Sequence, residues 1–499
     1  MPELSAAMAG GALVLSIDQG TSATKAVLVD GQGAVRDRVT VPIALSHPRS
    51  GWAEQDALEI WESVQTAVQT AVADVDPSQV VAVGLSTQRE SVLIWDRESG
   101  LPLGPMLGWQ DGRGGAQCAQ LRSAGHADRV RRLTGLPLDA MFSASKASAL
   151  LDLYDPDRSR SSRGEVLLGT IDSWLMWKIG GQHLIETGNA ARTQLLDITS
   201  RTWDPYLLDL FGVPVQALPT VVASTGPFVA CHNLAPLDAS VSVTGVLGDS
   251  HAALFAHAGW QPGRVKVTYG TGSSVMGVAT TQGDPVPGVA RTIAWETDRA
   301  TYALEGNIRS SGATLTWLAQ LLSSTPGQVA ALAAPSSEGV VLVPAFTGLG
   351  APWWDDQARA SITGIGAGTR AEHIARAGLN AIAFQIEDVI AAFEDSGETI
   401  GTILADGGPS SNAALMQLQA DTSGRQVNVS RVAELSALGA AHIAGLGAGL
   451  WTLADLESLP HPRTPYNPAS EPTTRANQQR GWHAALSAAL GTAHLLETQ

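Results

Sequence analysis

The sequence predicts an α/β protein built from two related halves, on three observations. Short apolar runs that read as buried strands alternate with segments whose apolar residues recur at helical spacing. A strand, a polar glycine-threonine turn and a returning strand occur twice, with Gly20-Thr21 near the start and Gly270-Thr271 about half a chain length later. The 499 residues, 44% of them apolar, suffice for two large cores.

The elements follow in order. Leu13 to Ile17 reads as a buried strand ending at Asp18, Gln19 to Thr24 as a polar turn, and Lys25 to Val29 as the returning strand, closed by the Asp30-Gly31 turn signal. From Asp56, the residues Leu58, Trp61, Val64, Val68 and Val72 keep helical spacing. Asp56 with Glu59 three residues on resembles a capping box, and Pro77 lies beyond the end. The strand Val80 to Leu85 leads directly into Gln88-Arg89-Glu90, and the strand Val241 to Leu247 exits through Gly248-Asp249-Ser250 into a helix from His251 to His257.

In the second half, Val265 to Tyr269 and Val275 to Val278 flank the Gly270 to Ser274 turn. Thr402 to Ala405 is a strand, Asp406 to Pro409 a turn, and Ser411 to Ala420 a helix. The proline-bearing segment Pro460 to Asn477 reads as a loop before a final helix from Trp482 to Leu496.

Charge and composition exclude several classes. With 31 Lys+Arg against 47 Asp+Glu the net charge is −16, the wrong sign for a nucleic-acid or anionic-membrane binder, both of which need a positive face. Two distant cysteines, Cys118 and Cys231, suit neither a disulfide scaffold nor a zinc site and point to a reducing compartment. Met1 to Gly11 lacks the basic start and long apolar core of a signal peptide, and no stretch of about 18 apolar residues follows. The expectation is a cytoplasmic protein without membrane insertion, and a homodimer is the commonest assembly for such a chain.

The two turns, with the Gly407-Gly408 turn, offer backbone N–H groups that an anionic oxygen can approach without side-chain obstruction. Thr21, Ser22, Thr24, Thr271, Ser273 and Ser274 add hydroxyls, and Lys25 adds a cation. Either turn alone also reads as ordinary hairpin chemistry; their recurrence favours phosphate. Neither a Walker loop nor a dinucleotide fingerprint is present. Asp249 reads as a helix cap or as a carboxylate that takes a proton from a substrate hydroxyl. Asp18 reads as a turn residue or as an anchor for hydrated Mg²⁺. Arg89 and Glu90 are a surface pair or a donor-acceptor set for vicinal hydroxyls, Trp109 is core or a face for a polyol's carbon skeleton, and His251 has no paired ligand spacing.

These segments, together with Gly51-Trp52-Ala53-Glu54, Trp95-Asp96-Arg97, Trp109-Gln110-Asp111, the run Gly169 to Leu175 and the run Pro344 to Pro352, resemble the FGGY family of carbohydrate kinases, and within it most closely the glycerol kinases, from about Leu13 to Trp451. The resemblance implies two actin-like, ribonuclease-H-like α/β domains flanking a catalytic cleft, residues 1–254 taking the polyol or sugar and residues 255–499 taking ATP. It implies that Gly20, Thr21, Ser22 and Lys25, with Gly270, Thr271 and Gly272, face the phosphates, and that Gly312, Gly407, Gly408 and Asn412 hold the adenosine. Asp249 would be the general base, Asp18 would orient Mg²⁺, and Arg89, Glu90 and Trp109 would meet the acceptor.

The chain departs from the glycerol-kinase pattern at Met141, where a tyrosine is usual, at Ser250, where a glutamine is usual, and at Ser274, where an aromatic is usual. Each change removes bulk or a polar handle near the small triol, which leaves glycerol, erythritol, a pentitol and a pentulose open as acceptors. The other class of reading is an actin-like ATP sensor without an acceptor, which has no use for Asp249 beside Arg89-Glu90.

Overall fold

The computed structural model describes residues 11–281 and 287–496, the last six of these by backbone alone. Of the opening segment Met1 to Gly11, only Gly11 lies among the described residues. Two compact units divide the chain: residues 1–258 with 291–302 and 434–460 form the first, and residues 259–290 with 303–433 and 461–499 the second. Among the described residues, no helix is long and apolar enough to cross a membrane. Cys118 and Cys231 are buried free thiols.

The first unit is organised by one sheet of strands β1 (Leu13–Gln19), β2 (Ala23–Asp30), β3 (Val35–Pro42), β4 (Val80–Thr87), β5 (Thr225–Ala230) and β6 (Ser242–Gly248), in the order β5-β6-β4-β1-β2-β3. β1 runs antiparallel to β2 and parallel to β4, and β4 runs parallel to β6. β1 is buried along its whole length, as its continuous apolar run requires of a central strand.

Helix α1 (Ala57–Ala71) and helix α2 (Ile171–Gly180) supply Trp61, Val64, Trp174 and Leu175 to the core that includes Leu15 and Val83. Asp56 caps α1 by accepting from Leu58 N, but Glu59 does not close the expected box. Its Oε1 accepts instead from Ala44 N at 2.9 Å. Leu58, expected on the buried stripe, is exposed, and Ile60 takes the inward place.

The helix Leu435–Gly447 returns to this unit and presses on the sheet. A Cβ at Gly84 would stand 2.2 Å from Ala440 O and one at Gly245 2.4 Å from Ala444 N, so only glycine in the strands permits that approach. Ser16 Oγ donates to Ala437 O at 2.6 Å from the same face.

The second unit repeats the design. β7 (Arg264–Tyr269), β8 (Ser273–Val278), β9 (Ala300–Ile308), β10 (Thr402–Asp406), β11 (Gln426–Ser430) and β12 (Arg463–Tyr466) run within a sheet in the order β9-β8-β7-β10-β11-β12. β7–β8 is an antiparallel hairpin, and β7, β10 and β11 are parallel. For these six strands the order matches β3-β2-β1-β4-β6-β5, so the duplication read from the two turns extends to both sheets, while a seventh strand, Ala290–Glu296, lies beyond β9 without a counterpart in the six-stranded first sheet. Helices α4 (Gly312–Leu321), α5 (Ala371–Asp395), α6 (Ala413–Ser423) and α7 (Pro472–Leu496) cover it, α3 being the helix Asp249–Ala256 of the first unit.

The segment expected as a proline-bearing loop contains two regular elements. Pro465 sits on β12 opposite Asn428, and Pro472 opens α7, which starts ten residues before the expected Trp482. An edge strand and a first helical turn are the two places where a missing N–H costs least.

Candidate functional site

In the first unit the C-terminal ends of three parallel strands meet. Register pairs Asp18 with Ser86 and Leu247 with Ser86, which carries Asp18 on β1 and Gly248-Asp249 after β6 to one end of the sheet, where open α/β sheets bind ligands. Ser86 Oγ donates to Asp18 Oδ1 at 2.7 Å. Burial, opposed by that hydrogen bond and by Lys25, pushes the Asp18 carboxyl up to about 6, with the charges of Asp249 and Glu434 adding to the rise.

Asp249 is the first residue of α3 and not its cap, a place held by Gly248. Its Oδ1 accepts from Ser250 N at 2.6 Å and lies 3.4 Å from Arg89 Nε, while Ser436 Oγ donates to its carbonyl. The Asp249 side chain keeps 40% of its exposure, against 7% for Arg89. A buried guanidinium thus holds a carboxylate that still faces outward. Arg89 also donates to His251 Nε2 at 3.2 Å, which places His251 behind the arginine as its acceptor.

Arg89 and Glu90 are both buried, against the surface-pair reading. Glu90 adopts φ 62°, a left-handed conformation that bulky residues rarely take outside sites the surroundings over-determine. Here Arg192, fully buried, donates from Nε to Glu90 Oε1 at 2.6 Å, and Ser143 Oγ donates to the Glu90 carbonyl at 3.0 Å. Trp109 is 38% exposed, so it is no core residue, and its indole N–H donates to Thr21 Oγ1 at 3.1 Å. Met141 lies half-buried; its N–H donates to Asp139 Oδ1 at 2.8 Å and its carbonyl accepts from the buried Lys146.

Around the first turn, Gly20 N donates to Ala23 O at 3.0 Å, Gln55 Nε2 donates to Thr21 O at 2.9 Å, and Ser22 is exposed. Lys25 stands opposite Asp18 in register, 4.0 Å from its Oδ2, and 2.5 Å from Glu434 Oε2.

The second unit assembles the other expected residues. Gly270 N donates to Gly272 O, Gly312 N to Gly270 O and Ala313 N to Thr271 O, all within 3.0 Å, which fastens the turn to the start of α4. Gly272 leaves no room for a Cβ, 2.2 Å from Ile308 O, whereas one at Gly408 would meet nothing within 4 Å. Asn412 caps α6, its Oδ1 accepting from Leu415 N at 3.0 Å. Ser274 belongs to this unit, its hydroxyl 3.5 Å from Glu305 Oε1.

Glu434, Arg192 and Ser86 went unnoticed in the sequence. Ser86 is reachable from the strand register, since it follows a buried run directly. Glu434 and Arg192 have no local signal. For a metal, the described residues hold no group of three or more His, Cys, Asp or Glu side chains able to cage an ion. A single buried carboxylate, Asp18, among acidic neighbours fits a hydrated Mg²⁺ that takes its other ligands from water and phosphate.

A duplicated actin-like fold carrying paired glycine-threonine turns and a strand-end carboxylate defines a class, the carbohydrate kinases of that fold. The FGGY family's N-terminal domain matches residues 13–256 and its C-terminal domain residues 265–448, and the chain belongs to the FGGY family of carbohydrate kinases.

Among its relatives are a glycerol kinase of Aromatoleum aromaticum, 42% identical and covering 96% of this chain and 99% of its own, and an apulose kinase of Pectobacterium atrosepticum, 39% identical with 96% and 98% covered. A glycerol kinase of Plasmodium falciparum, solved with ADP, superposes with a TM-score of 0.90 at 28% identity, covering 96% and 98% of the two chains. A xylulose kinase of Lactobacillus acidophilus shares the fold, with a TM-score of 0.87 at 22% identity over 96% and 99%.

Proposed function

We propose that the chain transfers the terminal phosphoryl group of ATP to a terminal hydroxyl of a polyol or open-chain sugar. The observation that carries this reading is Asp249, an outward-facing carboxylate at the end of a parallel strand, held by the buried Arg89. Residues 1–254 would take the acceptor and residues 255–499 the nucleotide.

Asp249 accepts the acceptor's hydroxyl proton as the new phosphate ester forms, while Arg89 and Glu90 hold neighbouring hydroxyls and Trp109 lies along the carbon skeleton. The Gly20 to Ser22 and Gly270 to Gly272 turns, with Lys25, bind phosphate oxygens, and Gly312 and Gly407-Gly408 with Asn412 leave room for adenosine. Asp18 would hold Mg²⁺ through water, and the ion would neutralise phosphate charge. Phosphoryl transfer asks mainly for alignment and charge neutralisation, which this set of residues can supply.

An acceptor longer than glycerol is favoured as a second reading by the apulose kinase among the relatives and by Met141, Ser250 and Ser274. A panel of glycerol, erythritol, pentitols and ketoses assayed for ADP release separates the acceptors. ADP release that no acceptor raises, with ATP still bound, would defeat the kinase reading.

A further inference from the structure

Trp109 and Thr21 are joined by two routes. Directly, the indole N–H donates to Thr21 Oγ1 at 3.1 Å. Indirectly, Trp109 N donates to Ser91 Oγ at 3.1 Å, Ser91 Oγ to Gln88 Oε1 at 3.0 Å, Gln88 Nε2 to Gln55 Oε1 at 3.0 Å, and Gln55 Nε2 to the Thr21 carbonyl at 2.9 Å. A branch runs from Gln88 Nε2 to Gln19 Oε1 at 3.2 Å and from Gln19 Nε2 to Gly20 O at 2.8 Å.

Gln19, Gln55, Gln88 and Ser91 are all buried, so a lost partner here is not replaced by bulk water. Every donor in the relay points from Trp109 toward the turn, and reversing one amide would set like groups against each other. An indole nitrogen only donates. Thr21 Oγ1 is therefore the acceptor of that bond, and its own proton is left to donate, the role an anionic oxygen needs.

We propose that Gln88 and Ser91 are positioning residues that lock Trp109 to the Gly20-Thr21 turn, so that an acceptor seated against the indole fixes the Thr21 hydroxyl as a hydrogen-bond donor to a phosphate oxygen. The inference rests on the kinase reading and deepens it: Trp109 and Thr21, assigned to different substrates, act as one hydrogen-bonded body. Its consequence is that ATP turnover responds to the acceptor through this relay.

The test compares ATP turnover with and without the best acceptor of the panel in Gln88→Met and in the milder Ser91→Ala, which removes one hydroxyl and preserves the fold. The ratio of stimulated to basal turnover is expected to fall about tenfold in Gln88→Met and about threefold in Ser91→Ala, the scale of losing buried hydrogen bonds, with KM for ATP within about twofold of wild type. Trp109→Phe combined with Ser91→Ala is expected to cost less than the product of the single effects, because both break the same ring. A retained ratio in Ser91→Ala, or multiplicative effects in the double variant, overturns the inference alone. A wild-type protein that responds to no acceptor overturns the kinase reading beneath it.

Discussion

Lys25 and Glu434 meet at 2.5 Å although 409 residues separate them in sequence. Lys25 is a phosphate-facing candidate and Glu434 precedes the helix that presses on the first sheet, so the pair ties the turn's cation to the far end of the unit's chain. Arg38 approaches the same carboxylate at 3.6 Å. Half-open ion pairs of this kind position more than they stabilise. Glu434→Gln is therefore expected to leave the thermal midpoint near wild type and to lower kcat/KM for ATP by about fivefold as Lys25 loses its fixed place, measured by steady-state kinetics beside a melting curve.

Arg192 gives a larger effect. It is wholly buried and its partner Glu90 nearly so, and removing one member of a buried pair leaves a charge without compensation. Arg192→Met is expected to cost about 3–5 kcal/mol in denaturant unfolding. Glu90→Gln added to Arg192→Met should return part of that loss without restoring acceptor binding.

How much of this was legible in the sequence follows from the range of each interaction. Asp18, Thr21, Gly270 and Asp249 were readable because strands, glycine turns and strand exits are local patterns, and the matched order of the two sheets extends the repeat that Gly20 and Gly270 announced. Glu434 and Arg192 were not, because their partners lie 409 and 102 residues away and neither stands in a patterned segment. Glu59 misled for the complementary reason: its spacing from Asp56 fits a capping box, but a tertiary donor, Ala44 N, claims the carboxylate.

Two adjacent glycines separate folding from binding. Gly407 has φ +89° and a Cβ there would stand 2.0 Å from Tyr269 O, so Gly407→Ala is expected to unfold or strongly destabilise the protein. Gly408→Ala meets nothing within 4 Å and should melt like wild type. If the turn receives the nucleotide, Gly408→Ala raises KM for ATP with little change in kcat; unchanged KM removes Gly408 from the site.

The raised Asp18 carboxyl makes two predictions of opposite sign. Its folded value of about 6 lies above the ordinary 3.8, so its contribution to folding is full below the ordinary value and is lost as pH rises through about 6. A cation beside the ionised group offsets that loss. Mg²⁺ is accordingly expected to raise the thermal midpoint more at pH 8 than at pH 5, a difference that Asp18→Asn abolishes. In activity, kcat/KM for ATP should fall as pH drops through about 6, where the charged form disappears.

The most direct measurement is acceptor phosphorylation by Asp249→Asn, followed in a single turnover with ATP binding monitored alongside. A carboxamide keeps the side chain's shape and its contact to Arg89 but cannot take the hydroxyl proton. The expected result is a loss of about 10²–10⁴-fold in phosphoryl transfer with ATP affinity unchanged. Transfer at near-wild-type rate would show that the proton goes elsewhere and that Asp249 is not the base.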